Sequence, residues 1–352
     1  MSRDAVSPRI AVVGAASLIG EALLDELRDR KFPHAELHAL DASSDLGRAV
    51  PDEQAQIQIG DVASFDFSRV DVAFFCARSA VSLRHAEAAA AHAWVIDCSS
   101  AFRGRSEVPL IVADVNGDLL TGSAANGGAA NGPAAKGLIA LPGSASAALS
   151  TVLAPLQALA GLARVEVATY QAVSGSGRAA MEGLAAETVD LLGGRKTRKY
   201  SFGKQIAFNV IPQVDAIDAD GVSLEERRLL EETRRVLGLP QLAINATAVR
   251  VPVFFGHSFA VHLSFERDVS VGAAAEILRR SNGIGLIEGG STPQFPTPAT
   301  EAMAPDRVYV GRLRRDLTRD RSLNFWVVAD NVRKCAAYNA FSVAQILVNR
   351  SL

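Results

Sequence analysis

The sequence lacks the features that mark a membrane, secretory or nucleic-acid-binding protein. Its 36 basic and 38 acidic side chains leave a formal net charge of −2, which predicts no attraction to nucleic acid or to an anionic membrane. No apolar run reaches the length of a membrane span, and the N-terminus does not have the pattern of a signal peptide. We therefore expect a cytoplasmic protein with no nucleic-acid and no membrane partner.

Cysteine is scarce as well. The three cysteines, Cys76, Cys98 and Cys335, are far apart in the sequence and do not have the spacing of metal ligands. They are typical of buried thiols in a reducing compartment, and we expect no metal site. At 352 residues and 49% hydrophobic content, the chain is long enough for two globular domains.

Strands and helices alternate in the first part of the chain. An apolar strand at 10–13 is followed by a turn between Gly14 and Gly20 and by a helix over 21–30. A helix N-terminus of this kind can bind a dinucleotide phosphate, although the same pattern occurs in turns without a ligand. Further buried strands, such as 70–76, predict an α/β domain with a doubly wound parallel sheet.

From about Leu162 the chain changes to alternating strands that are set apart from the helices. This pattern predicts an α+β domain with a mostly antiparallel sheet, whose exposed face would form a dimer interface. A low-complexity Gly/Ala/Asn segment at 122–136 contains nothing apolar enough to bury, so we expect a flexible surface insertion there.

The stretch 137–156 is the strongest candidate for chemistry. An apolar strand over 138–141 stops at Pro142-Gly143, and apolar residues at helical spacing follow. A helix N-terminus exposes unpaired N–H groups and a positive dipole end, which would lower the pKa of a thiol at that point. The residue at the turn is Ser144, however, and not a cysteine.

Three other polar residues are candidates from their positions. Arg103 follows a buried strand and could bind a carboxylate or phosphate through two parallel hydrogen bonds, or could form a surface ion pair. Arg250 and His257 flank a turn between two predicted strands. They could orient a substrate carboxylate and provide an acid/base, although a histidine in this setting is more often a core or loop residue.

Several motifs in chain order resemble the aspartate-semialdehyde dehydrogenase family. They include SSAFR at 99–103, TYQAVSGSG at 169–177, VRVPVFFGHS at 249–258 and LNFWVVADNVRKCAAYNA at 323–340. The resemblance covers nearly the whole chain. It implies a Rossmann-like dinucleotide-binding domain over 1–141 plus 325–352, an α+β dimerisation and catalytic-type domain over 142–324, and a homodimer.

The resemblance also implies an activity and a set of site residues. Members of the family reductively dephosphorylate β-aspartyl phosphate with NADPH, through attack by a cysteine thiolate and hydride reduction of the thioester. NADP or NAD is therefore the implied cofactor, and a small dicarboxylate or acyl-phosphate-like molecule is the implied ligand. The implied catalytic residues are Ser144, His257 and Gln171; the substrate-binding residues are Arg103, Arg250, Glu225 and Arg228; the cofactor-binding residues are Gly14, Ala15, Ser17, Ile19, Gly20 and Asn331.

The chain departs from the family pattern at several of these positions. Both asparagines and the cysteine of the family's Asn-Pro-Asn-Cys-Ser-Thr turn are absent from 141–146. Ser17 replaces the middle glycine of the cofactor loop, and Arg228 stands where a phosphate-binding lysine is usual. Asp45 lies in the adenosine-phosphate segment, where its charge would repel an NADP 2′-phosphate. Cys335 replaces a usual glycine.

Three hypotheses follow from the sequence. The first is a catalytically silent or very weak homologue, because a serine needs a dedicated base and would form an oxyester, a poorer acyl carrier for hydride transfer. The second is an active NAD(P)-dependent oxidoreductase with an altered nucleophile or cofactor. The third is a hydrolase that uses Ser144 with His257. We do not expect Ser144→Cys alone to restore turnover, because the cofactor loop is also altered.

Overall fold

A computed structural model describes residues 7–42, 45–51, 56–121, 137–196, 201–289, 294–303 and 306–351. The predicted insertion at 122–136 lies outside the described residues. The chain forms two compact units: unit 1 runs to Pro142 and resumes at Ala336, and unit 2 comprises Gly143–Cys335.

Unit 1 contains a six-stranded sheet in which every strand pairs in parallel with its neighbour. Its strands, in the order in which they lie in the sheet, are β5 (Gly60–Asp61), β2 (Glu36–Asp41), β1 (Arg9–Val13), β6 (Val72–Phe75), β7 (Trp94–Asp97) and β8 (Leu138–Ala140). A separate two-stranded hairpin consists of β3 (Ala49–Pro51) and β4 (Gln56–Gln58). The helices of unit 1 are α1 (Leu18–Asp29), α2 (Ser79–Ala90), the single turn α3 (Ala113–Asn116) and the C-terminal α8 (Asn339–Ser351).

The apolar runs of the sequence account for this parallel sheet. All four residues of β6 are buried, as are Ile10 to Val13 in β1, which is the pattern of strands covered on both faces. Helix α8 packs within the same unit. The side-chain oxygen of its Asn339 accepts a hydrogen bond of 2.8 Å from the Ala113 N–H, and its side-chain nitrogen donates to the Ile111 carbonyl oxygen at 3.0 Å. The predicted α/β character of the first domain is confirmed.

Unit 2 contains a six-stranded mixed sheet. Its strands, in the order in which they lie in the sheet, are β10 (Ala243–Arg250), β9 (Leu162–Gln171), β11 (His257–Phe265), β14 (Ser322–Ala329), β13 (Val308–Arg315) and β12 (Ile284–Ile287). The three inner pairs are antiparallel and the two outer pairs are parallel, so the predicted mostly antiparallel sheet is confirmed. The helices of unit 2 are α4 (Ser144–Ala160), α5 (Arg178–Leu192), α6 (Leu224–Leu237) and α7 (Val271–Arg280).

The boundary between the units differs from the expected one. We expected residues 325–335 to join the first domain, but β14 pairs with β11 and β13 and therefore belongs to the sheet of unit 2. The chain enters unit 1 only within the π-helical turn Arg333–Tyr338 that precedes α8. Among the described residues, no helix has both the length and the apolar character needed to cross a membrane.

Candidate functional site

Ser144 is the first residue of α4, a helix of 17 residues. The preceding Gly143 provides no side-chain cap, so the unpaired N–H groups and the positive dipole end of the helix lie at Ser144. The N–H of Gly143 itself donates to the buried carboxylate of Glu232 on α6, at 2.6 Å. The strand, turn and helix expected over 137–156 are therefore formed, with the serine at the predicted point.

The Oγ of Ser144 lies 3.2 Å from Nε2 of His257. His257 is the first residue of β11 and is 2% exposed. Its other ring nitrogen, Nδ1, accepts a hydrogen bond of 3.1 Å from the backbone N–H of Ala172. Among the described residues, His257 is the one hydrogen-bond partner of the Ser144 hydroxyl.

The bond from Ala172 decides the tautomer of His257. A ring nitrogen that accepts a hydrogen bond carries no proton, and a neutral imidazole carries one proton on the other nitrogen. The proton of neutral His257 is therefore on Nε2 and is donated to Ser144 Oγ. Burial, and secondarily the charge of Arg250, lowers the pKa of His257 to about 3, so the ring is neutral at physiological pH.

Arg250 is the last residue of β10 and is 4% exposed. One terminal nitrogen, Nη1, donates to the carbonyl oxygen of Ala172 at 2.7 Å, whereas the buried Nε has no hydrogen-bond partner among the described residues. The ring of Phe202 lies 5.4 Å from the centre of the guanidinium group. The pKa of Arg250 is lowered overall, because burial lowers it by more than the carboxylates of Glu225 and Asp215 raise it. An unpaired buried donor of this kind is suited to an anionic ligand.

Strand pairing brings the predicted residues of unit 2 together. Gln171 ends β9 and is the register partner of Arg250 in the parallel β10. Strand β11 runs antiparallel to β9, so its first residue, His257, lies at the same end of the sheet. Gln171 Nε2 donates to Glu225 Oε1 at 2.9 Å, and Glu225 is in the first turn of α6.

Two further predicted residues of unit 2 make contacts within the protein. Arg228, one turn along α6 from Glu225, donates to the carboxylate of Asp215 at 2.9 Å. Asn331, predicted to contact the cofactor, is buried and its Oδ1 accepts the Gly256 N–H at 3.0 Å. The side-chain nitrogen of Asn331 also donates to the Ser174 hydroxyl, so Asn331 links the turn before His257 to the loop after β9. The sequence did not suggest this linking contact.

The predicted cofactor loop of unit 1 is closely packed. Gly14 has a φ of +81°, and a Cβ on it would lie 2.6 Å from the Ala77 backbone nitrogen. A Cβ on Gly20 would lie 2.1 Å from the carbonyl oxygen of Gly14, so both positions require glycine. The N–H groups of Gly14 and Ala15 both donate to the Leu40 carbonyl oxygen, at 2.8 and 3.2 Å.

Ser17 is the N-cap of α1. Its Oγ accepts the Gly20 N–H and donates to the Cys76 carbonyl oxygen, both at 2.9 Å. Among the described residues, the N–H groups of Leu18 and Ile19 have no hydrogen-bond acceptor. The helix N-terminus therefore presents two donors that suit a phosphate oxygen.

An arginine that was not predicted from the sequence lies next to this helix. Arg48 donates a hydrogen bond of 3.2 Å to the carboxylate of Glu21, which is in the first turn of α1. Its guanidinium group also lies 3.6 Å from the carboxylate of Asp45. From the sequence, only the repulsion by Asp45 was expected in this segment. Arg48, three residues after Asp45, was the available signal for a positive charge there.

Arg103 lies in unit 1 and is half-buried. Its Nε donates to the carbonyl oxygen of Leu141 and its Nη2 to that of Cys98, both at 2.8 Å. These bonds join the chain after β7 to the chain after β8 and orient the guanidinium group. Its expected role in binding a phosphate stays a prediction.

Comparison with known proteins places these two units in one family. The model of the semialdehyde dehydrogenase NAD-binding domain matches residues 9–123, and that of the dimerisation domain matches residues 153–334. An aspartate-semialdehyde dehydrogenase of Legionella pneumophila is 38% identical over 96% of this chain and 95% of its own length. A Pseudomonas aeruginosa protein named as a USG-1 protein homolog is 37% identical over 97% of this chain and 98% of its own length.

Solved structures agree with these sequence matches. The crystal structure of aspartate semialdehyde dehydrogenase II from Vibrio cholerae, complexed with ASA, is 35% identical and has a TM-score of 0.91. The match covers 98% of this chain and 99% of that one. On this evidence, and in agreement with the resemblance seen in the sequence, the chain belongs to the aspartate-semialdehyde dehydrogenase family.

Proposed function

We propose that this protein is a silent or very weak member of its family, which binds a small carboxylate of the aspartate-semialdehyde type without appreciable hydride transfer. The observation that carries the proposal is the contact between Ser144 Oγ and the protonated Nε2 of His257. Ser144 takes the place of the family's cysteine in the resemblance stated above.

Activation of Ser144 would require a base next to its hydroxyl. A serine attacks an acyl group only when an adjacent base removes its proton. His257 cannot do so in this arrangement, because its Nε2 already carries a proton and its Nδ1 is bound to the Ala172 N–H. The same arrangement argues against a hydrolase that uses Ser144 and His257, since that mechanism needs the opposite tautomer.

A hydroxyl is also a much weaker nucleophile than a thiol at this position. A free thiol has a pKa of about 8.5, which a helix N-terminus lowers towards neutrality, whereas a hydroxyl starts several units higher. One unit corresponds to about 1.4 kcal/mol, so the substitution removes roughly 10³-fold or more of the rate. A thiolate would also accept the Nε2–H of His257, so the present tautomer fits a sulfur anion better than an alcohol.

The polar groups around Arg250 support the proposed binding of a small carboxylate. The buried Arg250 has an unpaired Nε, and the Gln171–Glu225 pair lies at the same end of the sheet. The Vibrio cholerae structure named above is a complex with ASA. We therefore take a short carboxylate that carries a second polar group as the ligand class, bound through Arg250.

The nucleotide-binding loop favours a second candidate, an active NAD(P)-dependent oxidoreductase with an altered nucleophile. The N–H groups of Leu18 and Ile19 fit the pyrophosphate of a dinucleotide, and Arg48 beside Asp45 offsets negative charge near the expected adenosine end. A bound nicotinamide cofactor would supply the hydride. Fluorescence titration with NAD and with NADP tests this candidate, and the absence of binding to both would remove it.

We further propose that unit 2 forms a homodimer through the open face of its sheet. A groove of about 410 Å³ crosses this face and is lined by Phe295, Pro296, Trp326, His262, Arg312 and Arg314 among others. Phe295 is 47% exposed and lines this groove together with Trp326, and contiguous exposed apolar surface marks an interaction site. The match to the semialdehyde dehydrogenase dimerisation domain supports a second copy of this chain as the occupant.

Turnover is the first prediction. With aspartate semialdehyde, phosphate and either NAD or NADP, we expect hydride transfer at least roughly 10³-fold slower than in the Legionella pneumophila relative, assayed side by side. The assay follows the appearance of the reduced cofactor at saturating substrate. A rate comparable with that of the relative would refute the proposal.

The protonation state of His257 is the second prediction. Because its folded pKa of about 3 lies below the ordinary value of 6.5, the ring stays neutral and the folded state loses stability as the pH falls from 6.5 towards 3. Long-range ¹H–¹⁵N NMR should show one ring with the proton on Nε2 that does not titrate between about pH 8 and about pH 5. His257→Gln identifies that signal among the six histidines. A ring protonated on Nδ1, or one that titrates near 6.5, would be inconsistent with the account.

The oligomeric state is the third prediction. Light scattering after size exclusion should give a mass of twice 37.1 kDa for the native chain. Phe295→Asp should give the monomer, because it places a charge in the proposed apolar interface. The matched control is Leu83→Asp, which changes a residue on α2 of unit 1 that is 53% exposed. A native monomer, or a dimer that Phe295→Asp leaves intact, would disprove the proposed interface.

A further inference from the structure

The strand next to the cofactor loop of unit 1 ends in a carboxylate. Strand β2 pairs in parallel with β1, and its last residue is Asp41. The preceding residue, Leu40, accepts the N–H groups of Gly14 and Ala15 at its carbonyl oxygen, at 2.8 and 3.2 Å. These two bonds hold the end of β2 against the loop, so Asp41 has a fixed position beside the segment that leads into α1.

The carboxylate of Asp41 is half-buried, and only part of it is engaged by the protein. Its Oδ1 accepts the backbone N–H of Ala42 at 2.7 Å. Among the described residues, no donor bonds its Oδ2 and no basic side chain forms an ion pair with it. An ionised carboxylate accepts several hydrogen bonds, so Asp41 can still accept bonds from the hydroxyl groups of a ligand.

The position of Asp41 relative to the loop is that of a ribose-binding residue. In Rossmann-like folds, an acidic residue about 20 residues after the glycine loop bonds the adenosine ribose 2′-hydroxyl of NAD. Asp41 stands at about this separation from Gly20 and ends the neighbouring strand. The unpaired N–H groups of Leu18 and Ile19 suit the pyrophosphate of the same ligand. The match to the semialdehyde dehydrogenase NAD-binding domain supports a dinucleotide as that ligand.

The charges around the end of β2 disfavour an additional phosphate. Arg48 contacts two carboxylates, those of Glu21 at 3.2 Å and Asp45 at 3.6 Å. With Asp41, these side chains carry three negative charges against one positive charge. A 2′-phosphate would add close to two more negative charges at neutral pH, and like charges at short range repel.

We propose that Asp41 is a specificity-determining residue that makes unit 1 select NAD over NADP. Its carboxylate accepts hydrogen bonds from the adenosine ribose hydroxyls of NAD and repels the 2′-phosphate of NADP. The inference rests on the nucleotide binding of the second candidate function and deepens it, because it specifies the nucleotide. It does not depend on hydride transfer, since a silent protein can retain a bound dinucleotide.

Calorimetric titration of the full chain with NAD and with NADP tests the preference. We expect NAD to bind at least about tenfold more tightly than NADP. ADP-ribose and 2′-phospho-ADP-ribose, which lack the nicotinamide, should give the same order, because the discrimination is made at the adenosine end. Equal or tighter binding of NADP would overturn the inference.

The variant Asp41→Asn tests the residue itself. Asparagine keeps a side-chain oxygen for the Ala42 N–H but removes the charge, so we expect an unchanged melting temperature. NAD should bind more weakly, and the ratio of the two affinities should shift towards NADP by at least about tenfold.

The matched control is Asp66→Asn, which removes the same charge from unit 1. The Asp66 carboxylate also accepts a backbone N–H, that of Ser68 at 2.9 Å. It lies in the connection to the start of β6, and the parallel strands place that start at the edge of the sheet opposite to the end of β2. The control should leave the affinity ratio within about twofold of the native value. An equal shift in both variants would show that net charge sets the preference, and would overturn the role of Asp41.

The outcomes separate this inference from the proposed function. An unchanged ratio in Asp41→Asn would overturn the role of Asp41 while leaving nucleotide binding in place. Absence of binding by all four nucleotides would remove the second candidate function together with the inference. Neither result bears on the turnover assay, which tests the silent-enzyme proposal by itself.

Discussion

The hydrogen bond from the Ala172 N–H to Nδ1 of His257 decides what the site can do. It leaves the proton of the neutral ring on Nε2, which faces Ser144 Oγ at 3.2 Å. Burial reinforces this state, because the lowered pKa of His257 keeps the ring uncharged at physiological pH. A ring that donates to residue 144 can stabilise an anion there but cannot remove the proton of an alcohol.

The same end of the sheet concentrates donors around a small space. Arg250 donates to the Ala172 carbonyl oxygen through Nη1, while its Nε has no partner among the described residues. A Cβ on Gly175 would lie 3.3 Å from Arg250 Nη1 and 3.5 Å from His257 Cε1, so this glycine lets the chain pack directly against both side chains. The unpaired Nε of Arg250 suits an anionic ligand, whereas a hydroxyl at the helix N-terminus is poorly suited to covalent chemistry. In the proposed function, binding and catalysis therefore depend on separate groups.

Much of the fold could be predicted from the sequence, because the buried strands of unit 1 are continuous apolar runs and those of unit 2 alternate. The position of Ser144 at the start of α4 followed from Pro142-Gly143 and the apolar spacing after it. The unit boundary did not, because pairing of β14 with β11 and β13 is a long-range contact that leaves no local signal.

The sequence named candidate residues but not their hydrogen bonds. Arg250 and His257 were candidates from their positions and Gln171 from the family resemblance, and strand register brings the three to one end of the sheet. The tautomer of His257 depends on a backbone N–H that is 85 residues away in the chain, which no residue pattern reveals. The packing of Gly175 against Arg250 and His257 likewise depends on two side chains distant in the chain, and the ion pair of Arg48 with Asp45 is a contact that composition does not reveal.

The central claim is that no base activates Ser144, and covalent labelling tests it most directly. A fluorophosphonate reacts with a serine only when a neighbouring base removes its proton, and intact-mass and peptide mass spectrometry locate the adduct. The account predicts no adduct at Ser144 under conditions that fully label a serine hydrolase in the same tube. Stoichiometric labelling of Ser144, abolished by His257→Gln, would show that His257 acts as a base and would contradict the account.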